Sequence, residues 1–217
     1  MLFRPKHYIA FGGPSFSRLK QKPSWVTFFP PIRRNQLLTV LEEFDPRKSG
    51  VLIVDGVFGD CLTVTNTECR EALAKGFTLV GASSIGAIRA ADCATLGMIG
   101  VGYVYERFRS GKISDDSEVA VRYDQSATTE ITISGARIRF MVRKLVSEGE
   151  ISVLTARRLL RSLLTVPWYE RLPETVEAIA WELGILPSAV SDCLSDDFNP
   201  KTIDAVAALD LISPTPW

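Results

Sequence analysis

Ser83 and Ser84 are adjacent hydroxyls at a point where the chain changes character. Ahead of them runs Phe77-Thr78-Leu79-Val80, short, apolar and β-prone enough for a buried strand. Gly81-Ala82-Ser83-Ser84 then reduces the side chains almost to nothing. From Ile85 the apolar residues Ile88, Ala91 and Cys93–Leu96 recur at helical spacing until Gly97 stops them. A strand entering a helix through such a turn gathers bare N–H groups and the positive helix end around one point. Ala82-Ser83-Ser84-Ile85-Gly86 is one small-residue change from the G-x-S-x-G nucleophile elbow, with Ser84 in the nucleophile's place and Gly86 admitting another backbone. The same turn would cradle a phosphate or carboxylate without any chemistry. A third reading is tight packing, with Ser83 merely capping the helix. The stretch by itself leaves all three open.

Other chemistry-bearing residues are scattered along the chain. Asp55 follows Val51-Leu52-Ile53-Val54, the clearest buried strand, and open α/β sheets bind ligands at the carboxyl ends of their strands. Asp is equally a turn-former. Gly12-Gly13-Pro14-Ser15 closes a first strand, His7–Phe11, as a plain turn or as a loop that approaches a ligand closely; no G-x-G-x-x-G follows. Thr65-Asn66-Thr67-Glu68 has the form of a capping box, which gives Glu68 a complete structural explanation. Arg33 and Arg34 could hold an anion or be solvated surface. Asp115-Asp116-Ser117-Glu118 gathers carboxylates but lacks the ligand spacing and internal glycine of a calcium loop. It reads better as a loop that orients a basic partner or hydrogen-bonds the site, and no metal or other cofactor is expected. His7 is the only histidine and precedes the first strand, so a Ser-His-Asp triad is disfavoured. Cys61, just after the Asp55 loop, is a less favoured nucleophile.

The elements that must position these groups alternate. Val26–Phe29 reads as a second strand closed by Pro30-Pro31, and Leu37, Leu38 and Leu41 give a helix starting near Asn35. Strand 51–54, the helix from Thr65 to Lys75 and the strand–helix unit at 77–96 follow. This order predicts an α/β fold: a mostly parallel, Rossmann-like sheet with helices on both faces. It puts Asp55 and Ser84 at the same edge of that sheet. Met98–Gly102 reads as a connection, Tyr103–Arg109 as a helix and Val119–Tyr123 as strand-like. From Ser134 the periodicity is helical, over 138–148, 152–164, 174–183 and 187–194. The expected division is an α/β core over 1–128 and a helical C-terminal region over 129–217 packed on it.

Composition bounds the function. Hydrophobic content of 46% and charged content of 23% in 217 residues describe a globular chain with a real core. Net charge is zero, which gives no electrostatic reason to expect nucleic acid. No apolar run reaches the ~18–20 residues of a membrane span, and the N-terminus lacks a signal-peptide layout. Four cysteines without C-x-x-C or zinc spacing fit a reducing cytoplasm. Arg137, Arg139, Arg143, Lys144, Arg157, Arg158 and Arg161 concentrate positive charge on one segment, as solvated helix faces or as a docking site for an acidic protein.

Gly13-Pro14-Ser15, Pro30-Pro31-Ile32-Arg33-Arg34, Asp55-Gly56-Val57-Phe58, the run Gly81–Ala91, Gly97–Gly102 and Asp115–Val119 stand in the order found in TfuA-like proteins, and the chain resembles that family over roughly residues 8 to 123. The resemblance implies a partnership with a YcaO enzyme in peptide backbone thioamidation. It further implies cleavage of a thiocarboxylated, ubiquitin-like sulfur-carrier protein to release sulfide, with a precursor peptide as a further partner. On that reading Ser84 attacks, Arg89 neutralises the thiocarboxylate or the leaving sulfide, and a carboxylate such as Asp55, Glu68 or Asp92 serves as base, unless the helix N-terminus simply activates water. Gly13, Ser15, Arg34, Gly56, Phe58, Ser83, Gly86, Asp116 and Glu118 line the substrate. The alternative is a non-catalytic adaptor that binds the carrier and the YcaO enzyme. Where the family often has Gly and Asp after Arg34, this chain has Asn35 and Gln36; Thr67 and Asp92 also depart from its pattern.

Overall fold

Alternating strand and helix in the first half of the chain build a five-stranded parallel sheet in the order β2-β1-β3-β4-β5. The computed structural model describes residues 5–57, 62–126 and 128–214. The strands are β1 (His7–Phe11), β2 (Val26–Phe29), β3 (Ser49–Ile53), β4 (Thr78–Ala82) and β5 (Ile99–Val101). Central strands buried on both faces read as unbroken apolar runs, as do Ile9-Ala10-Phe11 and Val51-Leu52-Ile53. Register places Ala10 beside Phe28 on one side and Leu52 on the other. β5 occupies the segment expected as a connection. Its middle residue is Gly100, which lowers strand propensity, and a Cβ there would strike the Tyr105 ring.

Helices α1 (Gln36–Leu41), α2 (Asn66–Ala74) and α3 (Ile85–Asp92) connect β2 to β3, β3 to β4 and β4 to β5. All three crossovers step the same way across the sheet, so right-handed connections put these helices on one face. The step from β1 to β2 runs the other way, and Phe16 and Leu19 from it lie on the opposite face. There α9 (Pro200–Ile212) joins them, packing Ala205, Ala208, Leu209 and Ile212 onto Tyr8, Ala10, Leu52, Val54, Val80 and Ala82.

α3 lies unusually close to the sheet, and two glycines allow it. A Cβ on Gly86 would sit 1.8 Å from the carbonyl oxygen of Ile53, and one on Gly81 2.1 Å from that of Gly86. Both obstacles are backbone and cannot rotate aside.

The described chain divides into two compact units, one running to Ser114 and resumed from Lys201, the other covering Asp115–Pro200. The boundary falls before the expected 128, and α9 belongs with the sheet because its apolar residues cover it. The second unit holds a short hairpin, β6 (Tyr123–Asp124) with β7 (Thr129–Glu130), and α5 (Gly135–Ser147), α6 (Val153–Thr165), α7 (Pro173–Glu182) and α8 (Pro187–Leu194). Of the strand expected over 119–123, only Tyr123 pairs, because Asp116–Glu118 forms a 3-10 turn that runs into it. Ile138, Met141, Leu145, Leu159, Leu163, Val176 and Val190 form this unit's core. The Arg137 guanidinium, also buried, donates to the carbonyls of Leu194 and Ser195 and closes the C-terminal end of α8. No helix among the described residues is long and apolar enough to cross a membrane.

In the first unit, Asp204 on α9 reaches α4 (Gly102–Arg109), where its carboxylate accepts the N–H groups of Tyr103 and Val104 at 2.7 and 2.8 Å. Gly102, at φ +95°, makes room: a Cβ there would lie 2.2 Å from the Asp204 carboxyl carbon. Burial pushes Asp204 up to about 7, against the pull of those two N–H bonds.

Two outcomes are expected. Gly86→Ala should destabilise the protein by about 2–3 kcal/mol in urea unfolding, since overpacking against backbone has no rotamer escape. For Asp204, the folded chain keeps a proton that the unfolded chain releases near pH 4. Its contribution is therefore greatest below pH 4 and is lost as pH rises towards 7. Urea midpoints from pH 4.5 to 8 should show Asp204→Asn gaining on the parent as pH rises; a constant difference would contradict the assignment.

Candidate functional site

The sheet order changes direction at β1, whose neighbours are β2 and β3. Connections therefore leave the carboxyl ends of β1 and β3 on opposite faces, the topological switch point that forms the ligand crevice in doubly wound sheets. Three loops end there: Gly12–Ser15 after β1, Val54–Val57 after β3 and Ser83–Ser84 after β4. The β2–α1 loop reaches the same edge through a bridge between Ile32 and Gly56.

One carboxylate ties these loops together. Asp55 Oδ2 accepts the N–H groups of Gly13 at 2.8 Å and Ser15 at 3.0 Å, while Oδ1 accepts the Ser15 hydroxyl at 2.7 Å. The Ser83 hydroxyl in turn donates to Ser15 Oγ at 2.7 Å. All three side chains are buried, with 0% of Ser83, 1% of Ser15 and 3% of Asp55 exposed. A line of hydrogen bonds thus runs from the β4 turn through the β1 loop to the end of β3.

The turn itself is an elbow, but its strained residue is Ser83. Ser83 has φ +70°, the left-handed region that costs a non-glycine residue about 1–3 kcal/mol. Ser84 has φ −113° and begins α3 without a side-chain capping bond. The left-handed backbone of the turn thus falls on Ser83, two residues after Gly81, and not on Ser84, whose hydroxyl has no partner among the described residues. The helix N–H groups expected to face an oxyanion are also partly engaged. Those of Ser84 and Gly86 both point at the carbonyl of Val54, at 3.3 and 3.2 Å. Of the three N–H groups from Ser84 to Gly86, that of Ile85 is left without a partner among the described residues.

The remaining sequence-predicted residues separate into two groups. Gly13 and Gly56 belong to the crevice loops, and each is closely packed: Cβ atoms there would meet Pro31 at 2.6 Å and Thr63 Oγ1 at 2.3 Å. Arg34 is exposed on the β2–α1 loop and anchors it by donating its N–H to the Leu62 carbonyl. Gly86 admits its own β3 backbone. Phe58 and Cys61 lie outside the described residues.

Glu68 and Arg89 are engaged elsewhere. Glu68 Oε2 accepts the N–H and hydroxyl of Thr65, whose hydroxyl oxygen accepts Glu68 N–H, completing the expected capping box on α2. Arg89 donates to the Val64 carbonyl at 2.8 Å and to Asp92 at 3.2 Å, pinning the start of α2 to α3. None of these bonds reaches Ser83, Ser15 or Asp55. In the second unit, Glu118 is held bidentately by Arg139 at 3.0 and 2.6 Å, and Asp116 is exposed. His7, at the amino end of β1, shares a hydrogen bond with the Thr27 hydroxyl at the opposite edge of the sheet. Burial pushes the Cys69 thiol up to about 12 and raises Cys93 and Cys193, so none of these is a ready thiolate. No group of three or more metal-ligating side chains is assembled among the described residues.

Ser15 and Asp55 as bonded partners were not legible in the sequence, because their contact depends on β1 and β3 being neighbours in the sheet. The fold and this crevice define a doubly wound α/β domain with a serine elbow at its switch point. The family model for TfuA-like proteins matches residues 55–172, more than half of the chain, and the protein belongs to the TfuA-like family. That family is associated with YcaO-dependent thioamidation. A comparison with curated proteins finds no match.

Asp55 should be the costliest polar residue of the crevice to remove. Asp55→Ala strands donors on Gly13 and Ser15 in a buried place, and a loss of about 3–5 kcal/mol is expected in urea unfolding. Ser83→Ala removes a single donor and relieves no φ strain, so about 1 kcal/mol is expected.

Proposed function

We propose that this protein hydrolyses the C-terminal thiocarboxylate of a ubiquitin-like sulfur-carrier protein and releases sulfide for a YcaO enzyme in peptide backbone thioamidation. The observation that carries this reading is the left-handed backbone of Ser83 at a strand-to-helix turn, the strained backbone of a nucleophile elbow set beside helix N–H groups. A serine there attacks the thiocarboxylate carbon, and the free Ile85 N–H meets the developing oxyanion, a contribution worth about 3–4 kcal/mol per donor. Arg33 and Arg34, exposed cations on a loop of the same edge, are available to meet the thiocarboxylate charge. Arg89 is occupied by Val64 and Asp92.

A second reading, the non-catalytic adaptor, is favoured by one observation: the hydroxyls of Ser83 and Ser15 are buried and spend their protons inside the protein. On that reading the crevice is a fastened scaffold and the protein only brings carrier and YcaO enzyme together.

Sulfide release from a thiocarboxylated carrier separates the two. The hydrolase predicts release by the parent protein, a drop of at least about 100-fold in Ser83→Ala and a smaller effect in Ser84→Ala. Loss in Ser84→Ala alone would move the nucleophile to that residue. An adaptor predicts no release with or without the YcaO enzyme, and undiminished binding of carrier that lacks the thiocarboxylate.

A further inference from the structure

We propose that Ser15 is a catalytic proton relay, passing the proton of Ser83 to Asp55; the proposal rests on the hydrolytic reading above. That reading lacks a base, since the only histidine of the chain stands at the far edge of the sheet. The hydrogen-bond line through Ser15 supplies one.

The direction of that line follows from proton counting. An ionised carboxylate only accepts, so the Ser15 hydroxyl spends its single proton on Asp55 Oδ1 at 2.7 Å. Ser15 Oγ then has lone pairs but no proton for Ser83, and Ser83 must be the donor across the second 2.7 Å contact. The Ser83 proton is thus aimed at Ser15, away from the remaining lone pairs of Ser83 Oγ. Asp55 cannot turn to another partner, because Gly13 and Ser15 N–H groups hold its second oxygen. Burial of all three side chains keeps competing water from the line.

As Ser83 Oγ bonds to the thiocarboxylate carbon, its proton moves to Ser15 Oγ and the Ser15 proton moves to Asp55. Collapse of the tetrahedral adduct breaks the C–S bond. The proton returns through Ser15 to the departing sulfur, which leaves as hydrosulfide. Water then attacks the Ser83 ester and gives one proton to Ser15 Oγ, and through it to Asp55. That proton returns through Ser15 to Ser83 Oγ as the ester C–O bond breaks, and the carrier carboxylic acid leaves and loses its proton to solvent. No redox partner enters, and each hydrosulfide released consumes one water and frees one proton.

A fastening role and a relay role make different demands on Ser15. Ser15→Ala keeps the Gly13 and Ser15 N–H bonds that fasten the β1 loop to Asp55. It removes the hydroxyl that both ties Ser83 and relays its proton, so the pH profile and the proton inventory separate the two roles. Steady-state sulfide release from the thiocarboxylated carrier is the measurement, with thermal melting to confirm folding. Ser15→Ala should lower kcat by about 100-fold or more with KM unchanged, and its rate should climb with pH as hydroxide replaces the lost acceptor. Ser15→Thr, which restores a hydroxyl, should recover part of the rate. In the parent, a proton inventory in mixed light and heavy water should be curved, two protons being in flight. Ser15→Ala within threefold of the parent overturns the relay, as does a linear inventory, which serves even if the variants fold poorly. An inactive parent overturns the hydrolytic reading and the relay together. An active parent with Ser83→Ala inert and Ser15→Ala intact overturns the relay alone.

Discussion

A single buried carboxylate holds the crevice edge of this fold in register. Parallel strands bond side by side along their length, but nothing in that ladder orders the loops beyond their carboxyl ends, and at a switch point those loops diverge. Asp55 counters the divergence with three short bonds to the β1 loop. A charge-assisted bond to an N–H is about twice as strong as a neutral one, which is why one side chain suffices. The Ser83 turn joins through Ser15, so the conformation of the β4 elbow depends on a residue at the end of β3 through one at the end of β1.

Packing sets the second constraint. The elbow is sharp because α3 must start almost on top of the sheet, and it can do so only where Gly81 and Gly86 leave backbone against backbone. The left-handed φ of Ser83 follows: the chain leaves β4, turns through one residue and enters a helix whose first N–H groups close on the Val54 carbonyl. Small residues that look like an invitation to a ligand are here consumed largely by the protein's own backbone. The strain they impose is concentrated on one serine.

Much of this was legible in the sequence, for identifiable reasons. β1 to β4 are dense apolar runs bounded by turn residues, and the α2 capping box and the helices from 135 to 194 follow local rules. β5 was hidden because a three-residue strand with glycine at its centre has no periodicity to read. α9 was not singled out because it presents apolar residues to more than one side, and its role rests on a contact between Asp204 and Tyr103 that spans a hundred residues. The elbow was legible as a motif, but its register was not. Each serine misses the G-x-S-x-G pattern at one end, Ser84 at Ala82 and Ser83 at Ile85, and the backbone angle distinguishes them. Glu68 and Arg89 illustrate the converse: their residue types suit catalysis, and their bonds serve helix ends.

The departures from the family's pattern look different once their conformations are known. Asn35 adopts φ +66°, the region where glycine is at ease and asparagine is the best-tolerated replacement. Gln36 Oε1 accepts the N–H of Arg33 at 3.0 Å, the acceptor role that a carboxylate at that position also fills. The pair therefore preserves the turn that carries Arg33 and Arg34 to the crevice edge while changing local charge. Thr67 is exposed on the first turn of α2, beside a capping box that is complete without it. At Asn35, Gln36 and Thr67 the side chains differ from that pattern at positions where the loop turn and the capping box are made by other groups or by an equivalent acceptor. The local backbone therefore does not depend on the charges that are missing.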